Sequence, residues 1–223
     1  HRLGVAPVAV RELFPRLRGA AQVAELNLLS HFACADERGH SLTEVQLECF
    51  LDLLDLDFDQ RSLANSAAVL MIPAAHMDWL RPGIMLYGAT PFEQTQALAA
   101  QLKPVMTLQS KIIGVRELPV GEPVGYAARF VAERPTRVGV VAMGYADGYP
   151  RHAPTGTPVA VDGQLTRIIG RVSMDMLTVD LTDLPQTGLG SRVELWGAQV
   201  LASDVAAQAQ TIPYQIFCNL RRV

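Results

Sequence analysis

The sequence predicts an α/β unit followed by an all-β domain, and three observations carry that prediction. Over residues 1 to about 88, short apolar runs of strand length alternate with stretches at helical spacing, the pattern of βαβ units and a parallel sheet. After Lys103-Pro104 the helical spacing stops, and short β-rich runs follow one another to about residue 200, divided by turn signals such as Asp162-Gly163. The composition, 49% hydrophobic and 18% charged over 223 residues, supports a globular core in one large domain or two small ones. The expected division is 1–103 and 104–223.

The elements follow in order. Residues 7–18 have helical period, with Gly19 as a stop. LNLLSHF (26–32) is a continuous apolar run, the mark of a buried parallel strand. Thr43 and Gln46 form a capping box ahead of a helix over 44–54. RSLAN (61–65) reads as a strand, SAAVLMI (66–72) as a helix and GIMLYG (83–88) as another strand. Residues 89–103 read as a linker helix. Strands are then expected in VMTLQSKIIGVREL, TRVGVVAMGY, PVAVDGQ, RIIGRVSMDMLTVDL and SRVELWG, and the tail holds a short helix followed by YQIFC. A parallel unit of this size is part of a sheet and too small for a complete eight-fold barrel.

Several classes of function are disfavoured. The net charge of −3, without a run of Lys and Arg, argues against a nucleic-acid surface. No apolar stretch reaches the length of a membrane span, and the start has no signal-peptide pattern. The chain does not begin with Met, so a cut or processed chain is expected. Cys34, Cys49 and Cys218 are scattered and odd in number, which suits a reducing cytoplasm. No Cys/His spacing suggests a metal site.

The chemistry-bearing residues are polar groups where apolar elements end. His31 closes the 26–32 run, and ligands bind at that end of strands in parallel α/β sheets; from position alone it reads more readily as a satisfied half-buried histidine. Ser66 opens a helix, where its hydroxyl and the N–H groups suit a phosphate or a plain N-cap. Arg81 precedes Pro82-Gly83 and reads as a surface ion pair or as a ligand contact. Tyr126 and Tyr145 stand at turns, where tyrosines usually pack. Met174-Asp175 reads as strand with one turn-facing acid. None of these is specific alone.

Together they are specific. HRLGV, SHFACAD, SLANSAA, RPGIMLYG, PVGYAARF, VAMGYADGYPR, IIGRVSMDM and TIPYQI, in this order, resemble alanine racemase along the whole chain. The resemblance implies a partial (β/α)8 barrel, its later strands only, followed by a mostly β C-terminal domain. It implies pyridoxal 5'-phosphate as cofactor and L- and D-alanine as substrates. Tyr126 matches the base on the L face, His31 the histidine bonded to it, and Arg81 the arginine facing the cofactor ring nitrogen. Arg2 matches the arginine near the cofactor's 3-oxygen and the substrate carboxylate. Ser66, Tyr214, Gly83 and Ile84 match the phosphate cradle, with Asn65 beside it. Met174 and Asp175 match the substrate-carboxylate turn. Asp36, Tyr145, Arg151, Arg171 and Ile212 match the entrance lining. The resemblance also implies a head-to-tail homodimer sharing its sites, in a bacterial cytoplasm.

The residue types suit the chemistry. Racemisation requires a base on each face of the α-carbon. Arginine donates hydrogen bonds and keeps its proton, so Arg81 would leave the ring nitrogen unprotonated, a weaker electron sink than one paired with an acid. The family lysine that binds the cofactor lies in a string like K-A-x-A-Y-G-H-G, which this sequence does not contain. Lys103 and Lys111 are its two lysines, and neither stands at a barrel strand end. That lysine is therefore expected outside this chain. Three other readings stay open: an inactive fragment serving as a folding or dimerisation module, a racemase of another small amino acid, and a decarboxylase on the same architecture. The decarboxylases place an acid where Arg81 stands.

Overall fold

The computed structural model describes residues 3–93 and 96–220. The chain divides into two units, His1–Leu86 with Thr90–Leu102, and Tyr87–Ala89 with Lys103–Val223.

The first unit opens with α1 (Pro7–Arg18). Pro7 presets φ where a helix needs no N–H donor, and Arg16 and Arg18 face the negative end of the helix dipole. Gly19 ends the helix at φ −82, so it stops the helix without a left-handed turn. Then come β1 (Leu28–Leu29), α2 (Ser41–Leu51), β2 (Arg61–Asn65), α3 (Ser66–Met71) and β3 (Trp79–Arg81). The strands pair in parallel in the order β1-β2-β3, with Leu28 opposite Arg61 and Asn65 opposite Arg81. Ser62, Leu63 and Ala64 are buried in succession, as in a strand covered on both faces. Phe32, Phe50, Phe58, Leu63 and Ala68 lie in one apolar cluster.

Four local expectations differ here. Strand β1 is two residues long, because beyond Ser30 N–H, which bonds Ser62 O, the Ser30 carbonyl is taken by Arg81. Helix α2 starts at Ser41 and is capped by His40, whose ring accepts from Leu42 N–H. Thr43 instead donates to Cys34 O, and Gln46 bonds Ala33 N–H and His31 O. Residues 84–87 form a 3-10 turn and the strand lies earlier, at β3; Pro82 lacks the N–H that pairing would use. The linker helix reduces, among the described residues, to one 3-10 turn at Ala99–Gln101. Leu102 is already extended there, two residues ahead of Pro104.

The second unit begins at the 87–89 segment. Gly88, at φ +76, lies so close to Lys103 that a Cβ would stand 1.9 Å from its carbonyl oxygen. Val105 N–H donates to Tyr87 O, and the Tyr87 ring stacks on Phe217 at 5.5 Å. The strands are β4 (Leu108–Leu118), β5 (Pro123–Val124), β6 (Phe130–Val131), β7 (Thr136–Val141), β8 (Pro158–Val161), β9 (Gln164–Arg167), β10 (Leu177–Asp180) and β11 (Arg192–Trp196). Six pair antiparallel in the order β10-β7-β4-β11-β8-β9, and β5 pairs with β6. An Ile168–Val179 bridge joins the outer strands, so the sheet closes on itself. Asp162 (φ 45) and Gly163 (φ 84) make the two-residue turn between β8 and β9. The run over 167–181 is broken at Gly170, which has φ +77.

Val141, Val159, Ile168, Val179, Leu195 and Trp196 fill the interior. The Trp196 ring stacks on buried Tyr149 at 5.8 Å. Helices α4 (Ala202–Gln208) and α5 (Pro213–Asn219) cover it with Val205, Ala206 and Ile216, so YQIFC is helical. No helix among the described residues is long and apolar enough to cross a membrane.

Candidate active site

In the first unit the parallel strands end on one side, and the polar residues stand there. His31 follows β1, Asn65 closes β2, Ser66 opens α3 and Arg81 closes β3. The Arg81 guanidinium is held by the Ser62 hydroxyl, by the carbonyls of Ser30 and Leu63, and by His31 Nδ1 at 3.3 Å. Arginine has no acceptor, so Nδ1 accepts in that contact and the neutral His31 ring carries its proton on Nε2. A second proton, on Nδ1, would break the bond and set two cations together. Ser62 was not singled out in the sequence, yet it orients Arg81, because its own hydroxyl donates to Trp79 O at 3.0 Å. The signal was a serine inside an otherwise buried strand. Gln46 was also missed as a contact of the His31 loop; its helical spacing suggested only a cap.

Asn65 caps α3, accepting from Ala68 N–H at 3.1 Å. This leaves Ser66, buried, to accept from Met85 N–H at 3.4 Å. Its hydroxyl thereby ties α3 to the 84–87 turn, which begins with exposed Gly83 and buried Ile84. Asp36 is exposed in the loop after His31. Arg2 lies outside the described residues.

In the second unit three loops abut backbone to backbone. The first, between β5 and β6, carries Tyr126. Gly125, Ala127 and Ala128 there have φ of 73, 61 and 47, and each alanine held left-handed costs roughly 1–2 kcal/mol. Gly125 packs on the backbone of Arg171, and Gly170 on Val124 O at 3.0 Å from its would-be Cβ. The second loop, after β7, carries Tyr145. Its Gly144 leaves no room for a side chain, since a Cβ would stand 2.3 Å from Met174 O. Tyr145 N–H donates to Ser173 O and Ala146 N–H to Met174 O, so the third loop, with Met174 and Asp175, is fastened to the second. Asp147 accepts from Gly144 N–H at 2.9 Å and closes the turn.

Tyr126, Tyr145, Met174 and Asp175 are all exposed on these loops, and Arg171 is half-buried. Arg151 stacks over the Tyr145 ring at 5.9 Å. A cavity of about 280 Å³ lies between this loop and α5, lined by Tyr145, Arg151, His152, Thr211 and Gln215 among others. Ile212 caps α5, and Tyr214 is in its first turn. Lys103 and Lys111 are both exposed, Lys111 on β4.

Residues 105–223 match the family model of the alanine racemase C-terminal domain, and residues 1–91 that of the N-terminal domain. An alanine racemase of Pseudomonas syringae pv. syringae is 63% identical over all of this chain, which spans 62% of that relative. The crystal structure of the biosynthetic alanine racemase from Pseudomonas aeruginosa is similar with a TM-score of 0.95 and 61% identity, over 99% of this chain and 62% of that one. An alanine racemase from Bartonella henselae with covalently bound pyridoxal phosphate is similar with a TM-score of 0.86 and 32% identity, over 99% of this chain and 61% of that one. The chain thus spans somewhat under two thirds of the length of these proteins. With the family models matched from residue 1 to 91 and from 105 to 223, it belongs to the alanine racemase family.

Proposed function

We propose that the full-length protein interconverts L- and D-alanine with pyridoxal 5'-phosphate as cofactor. In this reading residues 1–103 give the later part of an eight-stranded α/β barrel, and 104–223 the β domain whose tail returns to the cofactor. The observation that carries it is the anchored Arg81: a donor-only group, held by three oxygen acceptors and His31, at the ends of parallel strands. The donor set fits the cofactor. Arg81 suits an acceptor ring nitrogen, while Ser66 with the backbone at Gly83 and Ile84, Asn65 beside them, and Tyr214 suit its phosphate. Arg2 would serve the 3-oxygen.

When bound, the cofactor withdraws electrons from the α-carbon and acidifies its hydrogen. Tyr126 would take or return that proton on the L face. A free tyrosine titrates near 10, and a hydrogen bond to the phenolate or a nearby cation favours its ionised form. His31, with its proton on Nε2, would donate to the phenolate oxygen, and Arg81 would be the fixed cation behind it. Arg81 would also leave the ring nitrogen unprotonated, moderating the electron sink and disfavouring side reactions. Met174 N–H would hold the substrate carboxylate, with Asp175 beside it in the same turn. Asp36, Tyr145, Arg151, Arg171 and Ile212 would line the approach. A lysine of the full-length protein would be the base on the D face. The abutting loops of the second unit suit a head-to-tail homodimer, in which Tyr126, Tyr145 and Met174 enter the site of the other copy. The reading places the enzyme in a bacterial cytoplasm.

The test is α-hydrogen exchange with D₂O in the full-length holoenzyme, starting from each enantiomer. Tyr126→Phe is expected to slow exchange from L-alanine at least ~100-fold, with exchange from D-alanine retained. Wild-type exchange from L-alanine in that variant would remove Tyr126 from the role. A wild-type enzyme that exchanges neither enantiomer would end the racemase reading.

A further inference from the structure

We propose that Ala127 and Ala128 are positioning residues: their left-handed backbone, rather than side-chain packing, sets where the Tyr126 phenol points. This rests on Tyr126 being the L-face base. Tyr126 is 70% exposed, and Gly125 to Arg129 are all exposed. No apolar wall of the unit holds the ring. Its direction must therefore come from the main chain, above all if the phenol leaves its own unit to meet a site elsewhere.

The main chain there is unusual. Three of four consecutive residues, Gly125, Ala127 and Ala128, have positive φ. Glycine adopts this region freely, whereas alanine reaches it only in a narrow, strained well. Such strain persists only where the surroundings over-determine it, and here they do. The loop is pinned at both ends by the Val124–Phe130 and Pro123–Val131 pairs. It is closed by Ala128 N–H on Gly125 O at 3.3 Å. Gly125 sits on the Arg171 backbone, and Gly170 on Val124. Val124 is anchored in a cluster with Val138 and Ile169. Alanine at 127 and 128 thus trades backbone strain for a single loop shape, where glycine would give a broader set.

The experiment uses the full-length holoenzyme with the glycine pair A127G/A128G, the asparagine pair A127N/A128N, and Tyr126→Phe. Asparagine tolerates the left-handed region and keeps a Cβ. Measured are kcat, KM, and the primary isotope effects of L- and D-[2-²H]alanine, with thermal unfolding alongside. The glycine pair should lower kcat roughly tenfold, with KM held within about twofold. It should raise the isotope effect from the L side alone, because only the tyrosine step is slowed, and leave Tm unchanged or higher as strain is relieved. The asparagine pair should behave as wild type. Wild-type rates and isotope effects in the glycine pair overturn the proposal, as does equal loss in both pairs. If the double variant does not fold, the single variants A127G and A128G are read in the same way. A wild-type Tyr126→Phe would instead remove the assignment beneath the proposal.

Discussion

At the scale of single residues, the second unit holds a carboxylate whose ionisation is linked to stability. Asp180, at the end of β10, is nearly buried. Burial alone would push its carboxyl up. The Thr182 hydroxyl and N–H and the Arg167 guanidinium, all bonded to it, outweigh burial and hold it below its ordinary value. A depressed folded-state value means that the ionised form contributes stability above the unfolded value of about 3.9. That contribution is lost as pH falls through the lower folded value. Asp180→Asn should therefore destabilise the full-length protein by about 1–3 kcal/mol at neutral pH, mostly through Thr182, since Arg167 is half-exposed. Thermal unfolding from pH 7 to 3 should show the gap between variant and wild type closing below about pH 4. A gap that is constant across that range would remove the linkage. Residues of this kind are poorly legible in sequence. Asp180 looks like any strand-end acid, and Ser62 like a strand serine, because their partners are 2 to 19 positions away. His31, Ser66 and Arg81 were legible only as parts of ordered motifs.

At the scale of elements, the helices of the first unit and most of the β-rich runs could be read from period and turn chemistry, whereas the linker helix and the helical YQIFC segment could not. α1 falls on its periodic stretch, and the Asp162-Gly163 turn makes the hairpin it signals. Where the reading failed, a tertiary contact outweighed a local pattern. The Thr43–Gln46 spacing fits a capping box, but the loop carrying His31 takes both side chains. The apolar run at 83–88 fits a strand or a turn of helix equally, since period alone does not separate them in short runs. The loop platform follows from close approaches that glycine permits and no pattern announces. Gly144 is extended, at φ −147, so any residue could adopt its backbone. Its requirement is space alone. Gly144→Ala should force the Met174–Asp175 turn away, destabilising the protein by about 1–3 kcal/mol and, on the proposed racemase reading, raising KM for alanine by more than it lowers kcat. Wild-type Tm and KM in that variant would show that the turn yields without consequence.

At the scale of the whole molecule, the two sheets differ in how they end. The outer strands of the six-stranded sheet meet through the Ile168–Val179 bridge, whereas β1 and β3 are the unjoined outer strands of the three-stranded sheet among the described residues. Amides of β4 and β11 should accordingly exchange with solvent only on global opening, and those of β1 and β3 through smaller fluctuations. The chain also changes unit three times, at Tyr87, at Thr90 and at Lys103. The short 87–89 stretch is stitched to the second unit by Gly88 against Lys103 and by the Tyr87–Phe217 stack. Covalent continuity through 92–99 is thus not what holds residues 87–89 to the second unit. One peptide bond opened between Phe92 and Ala99 should leave two pieces that travel as one on gel filtration and part only under denaturant. Pieces that separate without denaturant would show the stitch to be weak. The polypeptide behaves at this crossing like a seam sewn with a back-stitch, in which a single cut thread does not release the cloth.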